Sequence, residues 1–406
     1  MAVAAVEALD RGRRRVVAPV VDHARLRRYR LGRLRAEMRR AGVDAVALTD
    51  PMSLQYAVDF EEYQLYQTRI ATFQALIPLD GEVVMGGAYH RIWESVGEYA
   101  PCWNLSTFDA GLDLTAKARA FAEDTVRRIG RTARIAIDSP HIAVASALCE
   151  AGFDVVDARP LVDVARSVKS NDEIALLRHA IAVAAEGICA MRRVLVPGVT
   201  EWELIGELCR VNLAHGGRWM DGRMLASGPR TNPWLQEASD RVVEAGEIVS
   251  FDTDMVGPFG YFADVSRAMI CGDRRPRPEQ QDVLDRARAE IEHNMALLRP
   301  GMAFRDITDR SFDQPDRFIA HRYACLMHGA GMGDEWPKLP HRQDWERNGY
   351  EGEIEAGMVI CVESFVGDEA GGEGVKLEQQ VLVGPDSVEI LSNLPMAFDE
   401  VGRPQG

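Results

Sequence analysis

The chain has 406 residues, 47% of them apolar, enough to fill two cores, so two domains are expected and disorder is not. Its 62 acidic residues against 47 basic ones leave a formal charge of −15, which gives no footprint for a phosphate backbone, disfavours nucleic acid and favours small or cationic ligands. Seven cysteines lie far apart with no CxxC pair and an odd total, the pattern of reduced thiols in a reducing compartment such as the cytoplasm.

In chain order, the first feature is "RGRRR", Arg11 to Arg15. No apolar run of signal-peptide length stands beside it, and no unbroken apolar stretch approaches the roughly eighteen residues of a membrane span. Residues 1–22 are therefore expected to be a solvated, poorly ordered arm on a protein that is neither exported nor membrane-spanning. A basic amphipathic helix follows at "RLRRYRLGRLRAEMRRAG", then strands at "VDAVALTD", "ATFQALIPLDGEVVM" and "ARIAIDS" with helical text between them. This predicts a small α/β domain over residues 23–165. Ser170 with Glu173 makes a capping box that opens a long helix, Pro197-Gly198 stops it, and Thr200 with Glu203 repeats the device.

From 166 to 406 the text runs helix, helix, hairpin, helix, and finally strands at "MVICVESFV" and "GVKLEQQVLV". Helices written apart from antiparallel strands indicate an α+β layer, a curved sheet backed by helices. Its hairpin, "SFDTDMVGPFGYFADVSRAM", carries Asp252, Asp254 and Asp264. Alternation puts Asp252 and Asp254 on one face, and the turn through Pro258-Gly260 returns Asp264 beside them. Three carboxylates in one small volume repel unless a cation neutralises them, so a metal is the simplest reading; a solvated acidic hairpin is the bland one. His328 in "CLMHGAGMGDEWP", Glu363 in "MVICVESFV" and Glu378 in "GVKLEQQVLV" sit in similarly apolar or glycine-rich text. Five acids and one imidazole form a hard, oxygen-rich shell suited to two divalent ions such as Fe, Mn, Co or Zn.

These four motifs, in this order, resemble those of the pita-bread metalloenzymes: methionine aminopeptidase, Xaa-Pro peptidases and creatinase. The resemblance implies a pita-bread C-terminal domain, a creatinase-like N-terminal domain and a homodimer. The chain departs from the peptidases, however. Counting the peptidase spacing back from Asp264 lands on Thr253, flanked by Asp252 and Asp254, and the two histidines that peptidases use for catalysis are replaced, the second by Asp334 or Glu335. The Asp-Thr-Asp pair, "SGPRTNPW", HGxG followed by Asp-Glu, and "EGVKLEQQVL" are most similar to the pita-bread dimethylsulfoniopropionate lyases.

That resemblance implies metal ligands Asp252, Asp254, Asp264, His328, Glu363 and Glu378, with Asp334 as acid-base residue and Tyr323 nearby. A carboxylate base could remove the proton next to a metal-bound substrate carboxylate while a β-sulfonium leaves. Trp219, Trp234 and Trp336, with Tyr323, are candidates to surround the sulfonium, against the plainer reading of each as core. Tyr63, Tyr66 and Trp93, in "DFEEYQLYQTR" and "GGAYHRIW", are candidate pocket residues of the first domain or simply core or interface. Two other readings stand beside the lyase: an Xaa-Pro-type metallopeptidase and a non-catalytic binding protein on the same fold.

Overall fold

The structure is a computed structural model that describes residues 16–87, 96–100, 103–106, 114–131 and 133–402. Residues 1–15 of the expected arm and most of "GGAYHRIW", Trp93 included, lie outside the described residues. The described chain divides into two compact units, residues 21–170 and residues 171–402, with residues 16–20 grouping with the second.

The first unit begins with α1 (His23–Ala41), capped by Asp22, whose side chain accepts from the Arg25 backbone, and closed by Gly42 in the left-handed region. Then come β1 (Ala45–Leu48), α2 (Pro51–Val58), α3 (Gln64–Arg69), β2 (Gln74–Pro78), β3 (Val84–Gly86), β4 (Glu98–Ala100), α4 (Thr115–Ile129), β5 (Arg134–Ile137), α5 (Ile142–Ala151), β6 (Asp154–Asp157) and α6 (Arg159–Ser167). They form a six-stranded mixed sheet in the order β4-β3-β2-β1-β5-β6. Its core gathers Leu76, Ile135, Trp103, Phe121 and Leu148. Tyr63 and Tyr66 meet edge to face at 6.4 Å, and Tyr63 is 60% exposed.

The second unit opens with α7 (Asn171–Val194) and α8 (Glu201–Ala214), packed along each other. The Thr200–Glu203 capping box is present in full. By length and composition α7 could cross a membrane, although it holds no unbroken apolar run of that length, but 67% of its most apolar window is buried inside the protein. It is therefore a core helix, packed on α8. Strands β7 (Trp219–Met220), β8 (Leu225–Ser227), β9 (Ile248–Phe251), β10 (Met255–Val256), β11 (Phe262–Ala263) and β12 (Arg267–Ile270) follow, forming two three-stranded sheets, β11-β10-β7 and β12-β9-β8. After α9 (Pro278–Met295), α10 (Phe304–Arg310) and α11 (Asp316–Ile319) comes a five-stranded antiparallel sheet. It is built from β13 (Met327–Ala330), β14 (Asp334–Leu339), β15 (Val359–Val366), β16 (Val375–Val383) and β17 (Val388–Ile390) in the order β14-β13-β15-β16-β17. Every residue of β15 is buried, because α9 covers the sheet while β9 and β12 approach β16.

Candidate metal centre

The acidic hairpin is not continuous. β9 pairs with β12 and β10 pairs with β11, and the residues between those ladders, Asp252 to Asp254 on one side and Asp264 to Ser266 on the other, belong to neither. Asp254 has φ 38°, left-handed backbone that ends the extended run. The break, rather than simple alternation along one strand, brings these carboxylates together. Thr253 staples the gap: its Oγ1 donates to Ala263 O at 2.7 Å and accepts from Val265 N at 3.0 Å. One oxygen from each of Asp252, Asp254 and Asp264 lies within 4.8 Å of the others.

The five-stranded sheet supplies the rest. Register sets His328 opposite Cys361 and Glu363 directly opposite Glu378. Like charges facing across a ladder are destabilising on their own. His328 Nε2 lies 3.1 Å from Glu363 Oε1, 3.6 Å from Asp264 Oδ2 and 3.8 Å from Glu378 Oε1. Asp264, His328, Cys361 and Glu378 make a second group with ligand atoms within 4.8 Å, so Asp264 belongs to both groups. The structure thus brings all six expected ligands to one place.

Lys376 is the residue that sequence reasoning overlooked. It is fully buried, and its Nζ donates to Asp252 Oδ2 at 3.0 Å, Glu363 Oε2 at 2.6 Å and Ser266 Oγ at 2.6 Å. Alternation along β16 places it on the face of Glu378, but a strand lysine reads as surface until the elements covering both faces are known. Cys361 as a candidate ligand and the stapling role of Thr253 were also missed; the first depends on cross-strand register and the second on the gap between the two ladders.

Burial would push Asp252 up, but the Lys376 ammonium holds it below the usual carboxylate range. Burial, and then neighbouring carboxylates, push Asp264 and Glu378 well above it. Asp254 is pushed up to about 9, by burial first and Asp252 second. Burial opposes charging of His328, yet its hydrogen bond to Glu363 and the surrounding acids raise it to about 10. A cluster with these affinities holds protons that a bound cation would release.

The donor set fits a divalent pair. Asp252 Oδ1, Asp264 Oδ1 and Glu378 Oε1 are buried and accept no hydrogen bond, a costly arrangement for carboxylates without a counter-charge. Once the ligands give up the protons that metal binding displaces, five carboxylates and the Lys376 ammonium leave four negative charges beside a neutral imidazole, which two divalent ions would cancel.

Asp334 opens β14 at the rim. Its side chain is 71% exposed, with Oδ1 at 3.6 Å from His328 Nδ1. Glu335, by contrast, is buried and accepts from Met332 N at 2.9 Å, holding the turn beneath Gly331. Of the two acids after HGxG, Asp334 is thus the accessible one. Tyr323 lies with its ring 4.4 Å from Lys376 Nζ, and burial followed by Glu363 raises its phenol far above the ordinary value. Each of the three tryptophans has its own neighbour. Trp234 is 7% exposed and stacked on Phe365 at 6.1 Å, Trp336 meets Phe304 edge-on at 5.5 Å, and Trp219 donates through Nε1 to Asp221.

The family model for metallopeptidase family M24 matches residues 175–385. The dimethylsulfoniopropionate lyase DddP of Roseovarius nubinhibens is 33% identical over 396 residues, spanning 94% of this chain and 89% of that protein. Its counterpart from Roseobacter denitrificans is 34% identical, spanning 92% and 87%. Among solved structures, an Xaa-Pro dipeptidase from Bacillus anthracis matches with a TM-score of 0.73 at 20% identity, covering 92% of this chain and 99% of that one. An X-Pro aminopeptidase from Thermotoga maritima gives 0.72 at 18% identity, covering 91% and 98%. At these identities the solved structures speak for the fold, a pita-bread domain preceded by a smaller one.

Proposed function

The chain belongs to metallopeptidase family M24, and on that premise we propose that it is a metal-dependent lyase that cleaves dimethylsulfoniopropionate to dimethyl sulfide and acrylate. The observation that carries this reading is the accessible carboxylate of Asp334, 3.6 Å from the His328 ring at the rim of the six-ligand cluster. A base is what β-elimination needs, and no water nucleophile is required. The names of the relatives that are 33% and 34% identical support the same substrate.

Asp252, Asp254, Asp264, His328, Glu363 and Glu378 would hold two divalent ions, drawn from Fe, Mn, Co or Zn. When bound, such ions draw electron density from a substrate carboxylate and acidify the adjoining C–H. Asp334 accepts that α-proton, the C–H electrons form the new C=C bond, and the C–S electrons leave with dimethyl sulfide. Tyr323, whose phenol stays protonated, would donate to the substrate carboxylate, and Lys376 holds Asp252 and Glu363 in their orientation. The enzyme is expected to act as a cytoplasmic homodimer, with subunit number read from sedimentation.

The second reading, an Xaa-Pro-type dipeptidase, stands because the matching family model is that of a metallopeptidase family. The metal-loaded protein is therefore to be offered dimethylsulfoniopropionate and Xaa-Pro dipeptides in parallel. Equimolar dimethyl sulfide and acrylate with no free proline is the expected result; proline release without dimethyl sulfide overturns the lyase.

A further inference from the structure

The strand end that carries Trp219 supplies one more carboxylate, outside the six ligands. β7 pairs with β10 through Trp219 opposite Val256 and Met220 opposite Met255, so the next residue, Asp221, lands beside Asp254. Its backbone N–H donates to Asp254 O at 2.8 Å. At Gly222, which follows, a Cβ would stand 2.6 Å from Asp254 Oδ2, so this segment runs flush against the acidic cluster and forms a wall of the site.

Asp221 is solvent-accessible, and Trp219 Nε1 donates to its Oδ1 at 2.6 Å. Indole and carboxylate are thereby fixed as one unit. Among the described residues Asp221 has no cationic partner. An exposed carboxylate on the wall of an acid-rich site, with no cationic side chain paired to it among the described residues, is an arrangement that a cationic ligand would relieve.

We propose that Asp221, held by Trp219, is a specificity-determining residue that receives the positive end of a zwitterionic substrate whose carboxylate end faces the ligand cluster; this deepens the lyase reading and rests on it. The indole face attracts a soft cation, but an indole alone also accepts neutral apolar groups. The fixed carboxylate is what discriminates charged from neutral.

The test uses two probes that differ only in charge: β-alanine betaine, a quaternary ammonium carboxylate, and its carbon isostere β-tert-butylpropionate. Both are titrated by calorimetry into the metal-loaded enzyme. The wild type is expected to prefer the betaine, and Asp221→Asn to lose about fivefold of that preference, with metal content and affinity for the neutral isostere retained. Trp219→Phe keeps a ring but removes the N–H donor, and is expected to lose part of the same preference. A wild type with no preference, or an Asp221→Asn variant that keeps it or weakens both probes equally, overturns the inference. Failure of the lyase reading itself shows separately, as absence of dimethyl sulfide from the wild type, and the probe pair still decides whether the wall reads charge.

Discussion

Asp254 is where the residue-scale account is most exposed. It has left-handed backbone and a carboxyl pushed up to about 9, features with no benefit to stability unless the group has a cation to hold. Asp254→Ala is expected to lower bound metal by about one ion per chain, measured by elemental analysis. Full occupancy in that variant would remove Asp254 from the ligand set. His328→Ala is expected to lose metal and turnover together; retained metal with lost turnover would make His328 a proton-transfer residue instead. Asp334→Asn should leave fold and metal in place while kcat falls by a factor on the order of 10² to 10⁴, the usual weight of a general base. A variant that turns over normally would move the base elsewhere. Most of this site was legible from residue types: five acids and a histidine in apolar text are hard to explain without metal. Lys376 was not, because a lysine in a strand reads as surface until the facing sheet shows that both faces are covered.

At the scale of elements, α9 and β15 meet through a buried acid. Glu290 on α9 accepts from Ser364 Oγ at 2.7 Å and from Gln314 Nε2 at 3.0 Å, and burial raises its carboxyl to about 7. Since the folded value lies above the unfolded one, its contribution is fully present below the ordinary carboxylate value and is lost as pH rises through about 7. Glu290→Gln keeps an acceptor but never charges. Against wild type it is expected to gain stability, on the order of 2 kcal/mol, at about pH 8, and to gain little near pH 4, read from denaturant midpoints. An equal difference at both pH values would show that Glu290 does not titrate there. Arg267 makes a second tie, from β12 to the carbonyls of Ser392, Leu394 and Glu378 and to Gln379 Oε1, with no solvent exposure. Arg267→Ala should cost about 3 kcal/mol or more by leaving those acceptors unpaired. The hairpin showed the limit of reading elements from pattern: "FDTDMVGPFGYFADV" alternates like one pair of strands. The interruption at Asp254 follows from a backbone angle that alternation does not encode.

Across the whole molecule, the division after Ser170 puts every ligand candidate in the second unit. The α/β character of residues 23–165 was legible from alternating helical and strand text. The short edge strands β4 and β6 were not, since three or four residues give too little pattern to read. If metal is held by the second unit alone, calorimetric unfolding of the full chain should show a metal-dependent transition for that unit, raised by added ion and lowered by chelator. A transition of the first unit that shifts equally would contradict that assignment. The central claim, elimination by a carboxylate base on a family scaffold known for hydrolysis, is tested most directly by running the reaction in heavy-oxygen water. Acrylate that carries no heavy oxygen, formed in equal amount with dimethyl sulfide, is the expected result; a hydroxylated or isotopically labelled product would show attack by water and contradict it.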